Sequence, residues 1–237
     1  MQLNHLKTCF LILFLSFTSL SILPGITHAQ ISTAEQYKID DFIRDVKFND
    51  VKAVKKALAA GISPNTVDNK GNPALLIGIT EKSTDVVKVL LLAPSINLEK
   101  PNLQGETPLM VAAYTGSMGL VSYLVNTRSV EINQPGWSAL HYATTNGHES
   151  IVKFLLDKGA FVDPESPNGT TALMMAARGG HISIVKLLLD RGADLSIHNQ
   201  MSLTAIDFAE DNNQSEIAKG LRSRWLKLYN KPYPSKP

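Results

Sequence analysis

The sequence predicts an all-α solenoid in which about six units, each a turn followed by two antiparallel helices, stack on one another. Three observations predict this fold. A short signature recurs with a period of about 33 residues, apolar residues within each unit are spaced by three and four, and glycine occupies the turns. Because a single helix pair cannot bury its apolar face alone, neighbouring units must stack to form a continuous core.

Composition narrows the function classes before any motif is considered. The chain has 237 residues, of which 44% are hydrophobic and 19% are charged, as in ordinary globular proteins. The net charge of +2, from 23 basic and 21 acidic residues, provides no field that favours a nucleic-acid partner. Cys9 is the single cysteine, which excludes an intramolecular disulfide framework, and no cluster of Cys and His offers the ligands of a structural zinc site.

Residues 1–29 have the features of a secretory signal peptide. A positive flank precedes an apolar run at 10–23, and the small residues of T-H-A at 27–29 form a cleavage site. An uncleaved membrane anchor is the alternative, but about 14 apolar residues are fewer than the roughly 20 that a membrane-spanning helix requires. We therefore expect cleavage after Ala29, a periplasmic or alternatively extracellular mature chain without stable membrane insertion, and a short lead at residues 30–37.

The first signature of each unit is a small or proline residue, a large apolar residue and, three positions later, usually an alanine. Its large residue is leucine or isoleucine at positions 75, 109, 140, 173 and 206, so that successive copies lie 34, 31, 33 and 33 residues apart. A further step towards the N-terminus reaches Phe42, in an opening copy that keeps the apolar periodicity without the signature. The repeats are predicted at 38–70, 71–104, 105–135, 136–168, 169–201 and 202–228.

A second signature follows the first at a fixed distance and predicts the second helix of each inner unit. Its apolar residues recur in V-K-V-L-L at 87–91, V-S-Y-L-V at 121–125, and I-V-K-x-L-L at 151–156 and 184–189. Glycine ends one helix and begins the turn into the next at Gly116, Gly147 and Gly180. We expect the first helices of neighbouring units to approach closely at the small residues Ala112, Ala143, Ala176 and Ala209.

These residues resemble the ankyrin repeat, whose period is about 33 residues and whose signature is T-P-L-H-x-A. The resemblance covers residues 38–228 and implies β-turn fingers between the units, with degenerate units as caps at both ends. It also implies that His141, at the fourth place of the signature, hydrogen-bonds between adjacent loops. Two departures predict irregular fingers: the 31-residue interval, which shortens the turn before Gly136, and A-P-S at 93–95 in place of the usual Gly-Ala.

The C-terminal end is predicted to close the solenoid. The last copy carries Asp207 and Glu210 and has no finger after it, as expected of a polar terminal cap. Residues 221–237 contain basic residues and no acidic one. We expect a capping helix followed by a disordered, proline-rich basic tail at 229–237. Attachment of this run to an anionic membrane surface is the alternative.

Signatures of catalysis are absent from the sequence. It contains no G-x-S-x-G elbow, no cysteine nucleophile after signal cleavage and no glycine-rich phosphate loop. The adjacent carboxylates Asp40 and Asp41 point apart on a helix. His148 and His181 occupy equivalent places in neighbouring units, about 8 to 10 Å apart for packed helices, which is too far for two ligands of one metal ion. We therefore predict a protein without enzymatic activity, metal or cofactor.

The predicted inner, concave face holds the candidates for partner binding, because the finger ends and first helices of a solenoid form its extended binding surface. The position after the turn glycine holds Glu106, Trp137 and Thr170, and the exposed end of the first helix holds Tyr114, Thr145 and Arg178. Since Trp, Tyr and Arg are enriched in binding hot spots, Trp137 is the predicted anchor. Alternatively, Trp137 folds back over the shortened finger and fills the gap there.

These observations predict a monomeric, non-catalytic scaffold that binds a protein partner. Resemblance to exported bacterial ankyrin proteins implies an accessory, protective or inhibitory factor in the periplasm. The alternative is a secreted effector that binds host proteins. Because fold does not determine function, each of these roles follows from the resemblance alone.

Overall fold

A computed structural model describes residues 32–234, and the predicted signal peptide at 1–29 lies outside this range. The described residues form twelve α-helices. In chain order they are α1 (Thr33–Lys47), α2 (Val51–Ala59), α3 (Ala74–Thr80), α4 (Thr84–Leu91), α5 (Pro108–Tyr114), α6 (Met118–Arg128), α7 (Ala139–Thr145), α8 (Glu149–Asp157), α9 (Ala172–Gly179), α10 (Ile182–Asp190), α11 (Ala205–Asp211) and α12 (Ser215–Tyr229). Consecutive pairs, from α1 and α2 to α11 and α12, make up six units, which we number 1 to 6.

The helices are arranged in two layers. Odd-numbered helices pack on one another in succession and form the inner layer, while each even-numbered helix packs on the odd-numbered helix before it and forms the outer layer. Pairing of β type within residues 32–234 is limited to an isolated antiparallel bridge between Val67 and Pro73, in the finger before α3. These observations confirm the predicted all-α solenoid.

Capping side chains and glycine determine where the inner helices begin and end. Thr107 and Thr171 stand before α5 and α9, and each hydroxyl oxygen accepts a hydrogen bond from the backbone N–H three residues on, at 3.4 and 3.3 Å. Pro108 begins α5, where a backbone N–H would have no partner within the helix. After α9, Gly180 has φ of 75°, a left-handed conformation that glycine adopts without a steric penalty, and turns the chain into α10.

The predicted small residues bring the inner helices together. Ala112, Ala143, Ala176 and Ala209 are fully buried. They belong to one continuous apolar core, together with the leucine and isoleucine residues of the signature and the buried faces of the outer helices. Because protein cores are close-packed, a bulkier side chain at these positions would push neighbouring helices apart.

The finger before unit 4 is irregular, as its short length predicted. In the fingers before units 2 and 3, the N–H of Gly71 or Gly105 donates to the carbonyl three residues earlier at 3.0 Å. The finger before unit 3 thus keeps this bond, although A-P-S at 93–95 predicted an irregular finger. Gly136 forms no such bond among the described residues. Asn133 joins its finger to the next one, because its amide donates to the Gly159 carbonyl and accepts from the Phe161 N–H, both at 2.9 Å.

Unit 1 begins earlier than predicted. Ser32 caps α1 by accepting a hydrogen bond from the Glu35 N–H at 3.2 Å, so the helix starts at Thr33 and not near residue 38. The expected lead is therefore largely part of the first helix, which no signature marks in the sequence. The apolar face expected around Phe42 is confirmed, because Phe42 and Val46 are both buried.

The C-terminal helix caps the solenoid as predicted, but the tail after it is not disordered as far as residue 234. On α12, the buried side chains are Ile217, Ala218, Leu221 and Trp225. The ring of Tyr233 packs edge-on against Trp225, with centroids 4.9 Å apart. The expectation of disorder was wrong up to this point because an aromatic residue in the tail packs on the capping helix.

Asp207, expected on a polar cap, is buried under this tail. Its carboxylate accepts hydrogen bonds from the hydroxyl groups of Thr204 at 2.9 Å and Tyr233 at 2.5 Å. Burial, and then the bond to Asp207, raises the pKa of Tyr233 to about 12. The Arg222 guanidinium lies 5.1 Å from the centroid of the Tyr233 ring and pairs with Glu210 at 2.6 Å. Within residues 32–234, no helix has the length and apolarity needed to cross a membrane.

Candidate protein-binding surface

The six predicted residues lie at the ends of inner-layer elements. The residues directly before the N-caps of α5, α7 and α9 are Glu106, Trp137 and Thr170. The last turns of the same helices contain Tyr114, Thr145 and Arg178. We refer to the face formed by the finger ends and the first helices as the inner face.

Two of the predicted residues meet around a third that sequence reasoning missed. The Tyr142 hydroxyl donates to Oε1 of Glu106 at 2.9 Å, and the Tyr142 ring packs edge-on against Tyr114 with centroids 6.1 Å apart. Oε2 of Glu106 accepts a hydrogen bond from the side-chain amide of Asn102 at 2.7 Å. We call Glu106, Tyr114 and Tyr142 the inner-face cluster, which joins unit 3 to unit 4.

The Tyr142 hydroxyl is protonated at neutral pH and is therefore able to donate. Tyr142 is half-buried, and burial, followed by the hydrogen bond to Glu106, raises its pKa above the ordinary value of 10.0. The hydroxyl consequently orients the Glu106 carboxylate throughout the neutral pH range. The Tyr114 side chain is 45% exposed. The cluster thus presents an accessible aromatic ring beside an oriented carboxylate.

Trp137 packs on its own unit and is half-buried. Its ring lies edge-on to the ring of His141, with centroids 5.1 Å apart. This contact is with α7, and the alternative in which Trp137 folds back over the shortened finger stays a prediction. Trp137 stands directly before the N-cap of α7, at a finger end of the inner face.

Arg178 is the accessible cation of the predicted set. The side chain is exposed, and none of the ion pairs formed within residues 32–234 engages its guanidinium. A guanidinium presents a planar set of N–H donors that matches carboxylates in two-point contacts. Arg178 therefore keeps these donors for an incoming acidic group.

A comparison with known proteins decides the family. A family model of ankyrin repeats matches residues 90–166 and 161–225, which together make up more than half of the chain. The chain belongs to the ankyrin repeat family. Its inner and outer layers are thus the first and second helices of ankyrin repeats.

Relatives that share these ankyrin repeats are much longer proteins. The chain is 40% identical over 130 residues to Ankyrin repeat and SAM domain-containing protein 6 of Mus musculus, covering 54% of this chain and 15% of that protein. It is 31% identical over 112 residues to Glycerophosphocholine phosphodiesterase gde1 of Schizosaccharomyces pombe, covering 46% of this chain and 10% of that protein. It is 29% identical over 116 residues to Neurogenic locus notch homolog protein 2 of Homo sapiens, covering 48% of this chain and 5% of that protein. The chain therefore matches only a small part of each relative.

His141 of the ankyrin signature joins units 4 and 5 from a fully buried position. The Ser138 N–H donates to Nδ1 at 3.2 Å, so the ring proton lies on Nε2, which donates to the Thr170 carbonyl at 3.0 Å. Desolvation lowers the pKa of His141 from 6.5 to about 4, and the ring is neutral at neutral pH. The hydrogen bond expected between adjacent loops is confirmed.

The same bond explains why Thr170 is not a surface residue. Its carbonyl is held by His141, its N–H donates to Oδ1 of Asn168 at 3.2 Å, and its side chain is 3% exposed. The prediction of an accessible Thr170 was therefore wrong. Thr145 is half-buried, and its polar atoms bond within the ankyrin domain: its hydroxyl donates to the His141 carbonyl at 2.8 Å.

His148 and His181 bind backbone carbonyls of the preceding unit. Nε2 of His148 donates to the Tyr114 carbonyl at 2.9 Å, and Nε2 of His181 donates to the Thr145 carbonyl at 3.2 Å. At these two junctions, a histidine thus joins an ankyrin repeat to the one before it by a hydrogen bond. Among residues 32–234, no group of three or more His, Cys, Asp or Glu could hold a metal ion.

Tyr142 could have been found by aligning the ankyrin units with one another. It occupies the position that Val111, Met175 and Phe208 hold in other units. A hydroxyl among apolar residues at one position needs a hydrogen-bond partner when it is partly buried. The alignment signals that such a partner exists, but it does not identify Glu106.

Proposed function

We propose that this ankyrin domain is a non-catalytic scaffold that binds a partner protein on its inner face. The observation that carries the proposal is the inner-face cluster, where the exposed Tyr114 ring and the Glu106 carboxylate both contact Tyr142. Trp137 and Arg178 extend this surface over units 4 and 5. Tyr, Trp and Arg dominate the binding energy of protein interfaces, because they bury large areas and offer polar groups at their ends.

The chemistry of the surface defines what the partner should present. Both oxygens of Glu106 already accept hydrogen bonds, so the cluster is preorganised and loses little side-chain freedom on binding. A basic or amide side chain suits the carboxylate, and an acidic side chain suits the free guanidinium of Arg178. The partner is therefore expected to present polar side chains around an apolar group that contacts Tyr114.

The relatives support a binding function in preference to catalysis. The segments that match this chain lie within proteins whose names describe a phosphodiesterase, a SAM domain-containing protein and a Notch homolog. Because proteins of such different names share the repeats, the repeats suit a role in binding more than one particular reaction.

The proposed place of action is the periplasm, with an accessory, protective or inhibitory role towards a protein of that compartment. The support is the positive flank, apolar run and T-H-A sequence within residues 1–29. Fractionation of cells that express the tagged chain tests this part. Protein retained in the cytoplasm would contradict export, and protein found in the medium would favour the secreted effector.

The binding proposal is tested by capture from envelope extracts and by affinity measurement with the captured partner. We expect Tyr114→Ala and Arg178→Ala each to weaken binding by about tenfold or more, since hot-spot truncations cost about 2 kcal/mol. Leu228→Ala, which removes an exposed large side chain from α12 of the outer layer, is the control and should bind as the original chain does. Equal affinity for all these proteins would refute the inner face as the binding surface.

A further inference from the structure

A large apolar groove lies on the outer layer, between α4 of unit 2 and α6 of unit 3. Its cavity volume is about 820 Å³. The apolar side chains that line it are Ile79, Val87, Leu91, Leu92, Leu120 and Tyr123. Leu92, the residue directly after α4, is 77% exposed although its side chain is large and apolar. Exposed apolar surface of this extent marks binding sites on soluble domains.

Two residues that line the groove have small side chains or none. Ser117 is the N-cap of α6, at the position that His148 and His181 hold before α8 and α10. Those histidines reach back to the preceding unit, whereas the Ser117 hydroxyl bonds to Thr115 of its own turn at 3.0 Å. Next in α6, Gly119 lines the groove, and a Cβ added there would meet no atom within 4 Å.

The two ends of the groove differ in the side chains that line them. Lys82 and the hydroxyl side chains of Thr84, Thr115 and Ser117 line the end at which α4 and α6 begin. Leu91, Leu92 and Tyr123 line the opposite end, where the Arg128 guanidinium donates to the Leu91 carbonyl at 3.1 Å and to the Tyr123 hydroxyl at 3.4 Å. Along α4, a helix of 8 residues, the distance between the ends is about 12 Å at 1.5 Å per residue.

The charge of the lining is positive. Its charged residues are Lys82 and Lys88, and no carboxylate lines the groove. Lys88 pairs with Asp85 of its own helix at 2.8 Å, whereas none of the ion pairs within residues 32–234 engages Lys82. The ammonium group of Lys82 therefore stands at the polar end of the groove, where it can pair with an incoming anion.

The backbone at Lys82 is left-handed, with φ of 59°. The equivalent positions hold glycine in units 3, 4 and 5, and asparagine in units 1 and 6, where Asn49 and Asn213 have φ of 57° and 60°. Lysine is less suited to this region than glycine or asparagine. A left-handed conformation is unfavourable for a residue with a Cβ, and glycine avoids this penalty. Strain of this kind is often retained where a side chain has a function.

We propose that the groove binds a single-chain anionic amphiphile of the fatty-acid class. The carboxylate lies at Lys82 and the neighbouring hydroxyl groups, and the hydrocarbon chain follows α4 and α6 to Leu92 and Tyr123. The cavity volume falls within the range of small-molecule sites, about 300 to 1,000 Å³, and the lining has their composition of apolar side chains with few polar groups. The site is separate from the inner-face cluster, so the two proposals stand or fall independently.

Titration of the purified protein with laurate, below its micelle concentration, tests the site by calorimetry. We expect saturable binding of one laurate per chain. Gly119→Phe should weaken it by about tenfold or more, because the new ring occupies the volume of several CH₂ groups. Gly220→Phe is the matched control and should bind normally. Gly220 also lies in a helix, and a Cβ added there would likewise meet no atom within 4 Å.

The contribution of charge is tested separately. Lys82→Gln should weaken laurate binding by about tenfold, as expected for loss of a hydrogen bond between charged groups, and should leave the binding of dodecanol unchanged. Lys186→Gln, on the exposed face of α10, is the control. Across hexanoate, octanoate, decanoate and laurate, affinity should rise about fourfold per CH₂ until the chain reaches the apolar end.

Three outcomes would overturn the proposal. The first is no saturable binding of laurate. The second is equal binding by the original chain and Gly119→Phe, which would show adsorption elsewhere. The third is equal affinity for laurate and dodecyltrimethylammonium, which would exclude an anion site at Lys82. If laurate fails and an amphipathic helical peptide with acidic and leucine residues binds, the groove belongs to a protein helix instead.

Discussion

The junction between units 4 and 5 and the junction between units 2 and 3 are formed by equivalent helices. They differ in the hydrogen bonds that cross from one unit to the next. In the first, His141 bonds forward to Thr170 and His181 bonds back to Thr145. In the second, Leu76 replaces His141 and Ser117 replaces His181 at the equivalent positions. The first junction therefore has two hydrogen bonds between units that the second lacks.

This difference separates two roles of the repeat sequence. Apolar stacking is continuous through both junctions, so it holds the units together without the histidines. The histidines satisfy backbone carbonyls across the junction between units 4 and 5. At the junction between units 2 and 3, where the Ser117 hydroxyl bonds within its own turn, the groove of about 820 Å³ remains open.

Removal of the buried His141 from the junction between units 4 and 5 should have the largest effect on stability. We expect His141→Leu to lower the free energy of unfolding by about 3 kcal/mol, because it leaves the Ser138 N–H and the Thr170 carbonyl without their buried partner. Urea denaturation measures the change. His198→Leu, at an exposed position, is the control. Equal stability of the two variants would show that the forward bond contributes nothing.

Overpacking the same junction tests the apolar contribution by itself. Ala176→Phe should cost about 1 to 3 kcal/mol, since Ala176 is fully buried between inner helices and the phenyl ring has no space there. A thermal or urea melt detects the loss. Ala59→Phe, on the exposed end of α2, should be nearly neutral. A melt of Ala176→Phe that matches the original chain would contradict the packing register of the inner helices.

Acid should weaken the histidine-closed junction over a defined pH range. The pKa of His141 is about 4 in the folded chain and 6.5 in the unfolded chain. As pH falls below 6.5, the unfolded chain binds a proton that the folded chain does not, so stability that is complete above pH 6.5 is lost towards pH 4. Between about pH 6.5 and 4.5 the loss should be about 2 kcal/mol.

Comparison with His141→Leu isolates this effect from the titration of other groups. Both proteins share the remaining ionisable residues, so the difference between their unfolding free energies should shrink as the pH falls. A difference that stays constant from pH 7 to pH 4.5 would mean that His141 does not titrate in this way.

The smallest effect is expected from closing the open junction. Ser117→His should add about 1 kcal/mol of stability, because the ring can reach the Thr80 carbonyl, which stands where Tyr114 and Thr145 accept bonds in later units. The same change should reduce laurate binding, since Ser117 lines the groove. Ser150→His, at an exposed position of α8, is the control. Equal or lower stability of Ser117→His would show that histidine does not close this junction.

Most of the fold could be predicted from the sequence because the repeats make it a local problem. The signature leucines, the alanines and the turn glycines act within one unit or between equivalent positions of neighbours. The ends were predicted less well, because they have no such neighbour. Ser32 caps a helix without a signature, and Tyr233 packs on Trp225 from a tail that composition describes as disordered.

The candidate surface was predicted in part. Tyr114, Trp137 and Arg178 lie where the register of the repeats placed them. Tyr142 was missed because its partner Glu106 is 36 residues away, and Thr170 was misplaced because a histidine 29 residues earlier binds its carbonyl. Pairings of this range depend on side-chain direction, which the repeat pattern does not encode.

The sequence by itself determined the stack of helix pairs, its two layers and the close approach at Ala112, Ala143 and Ala176. The reason is that apolar spacing and residue size repeat with the geometry of the helix. Only the tertiary structure decided which polar groups are buried and where a cavity remains. Burial is the joint result of side chains from several units, so Asp207 is covered by a tail tyrosine and the groove at Ser117 and Gly119 stays open.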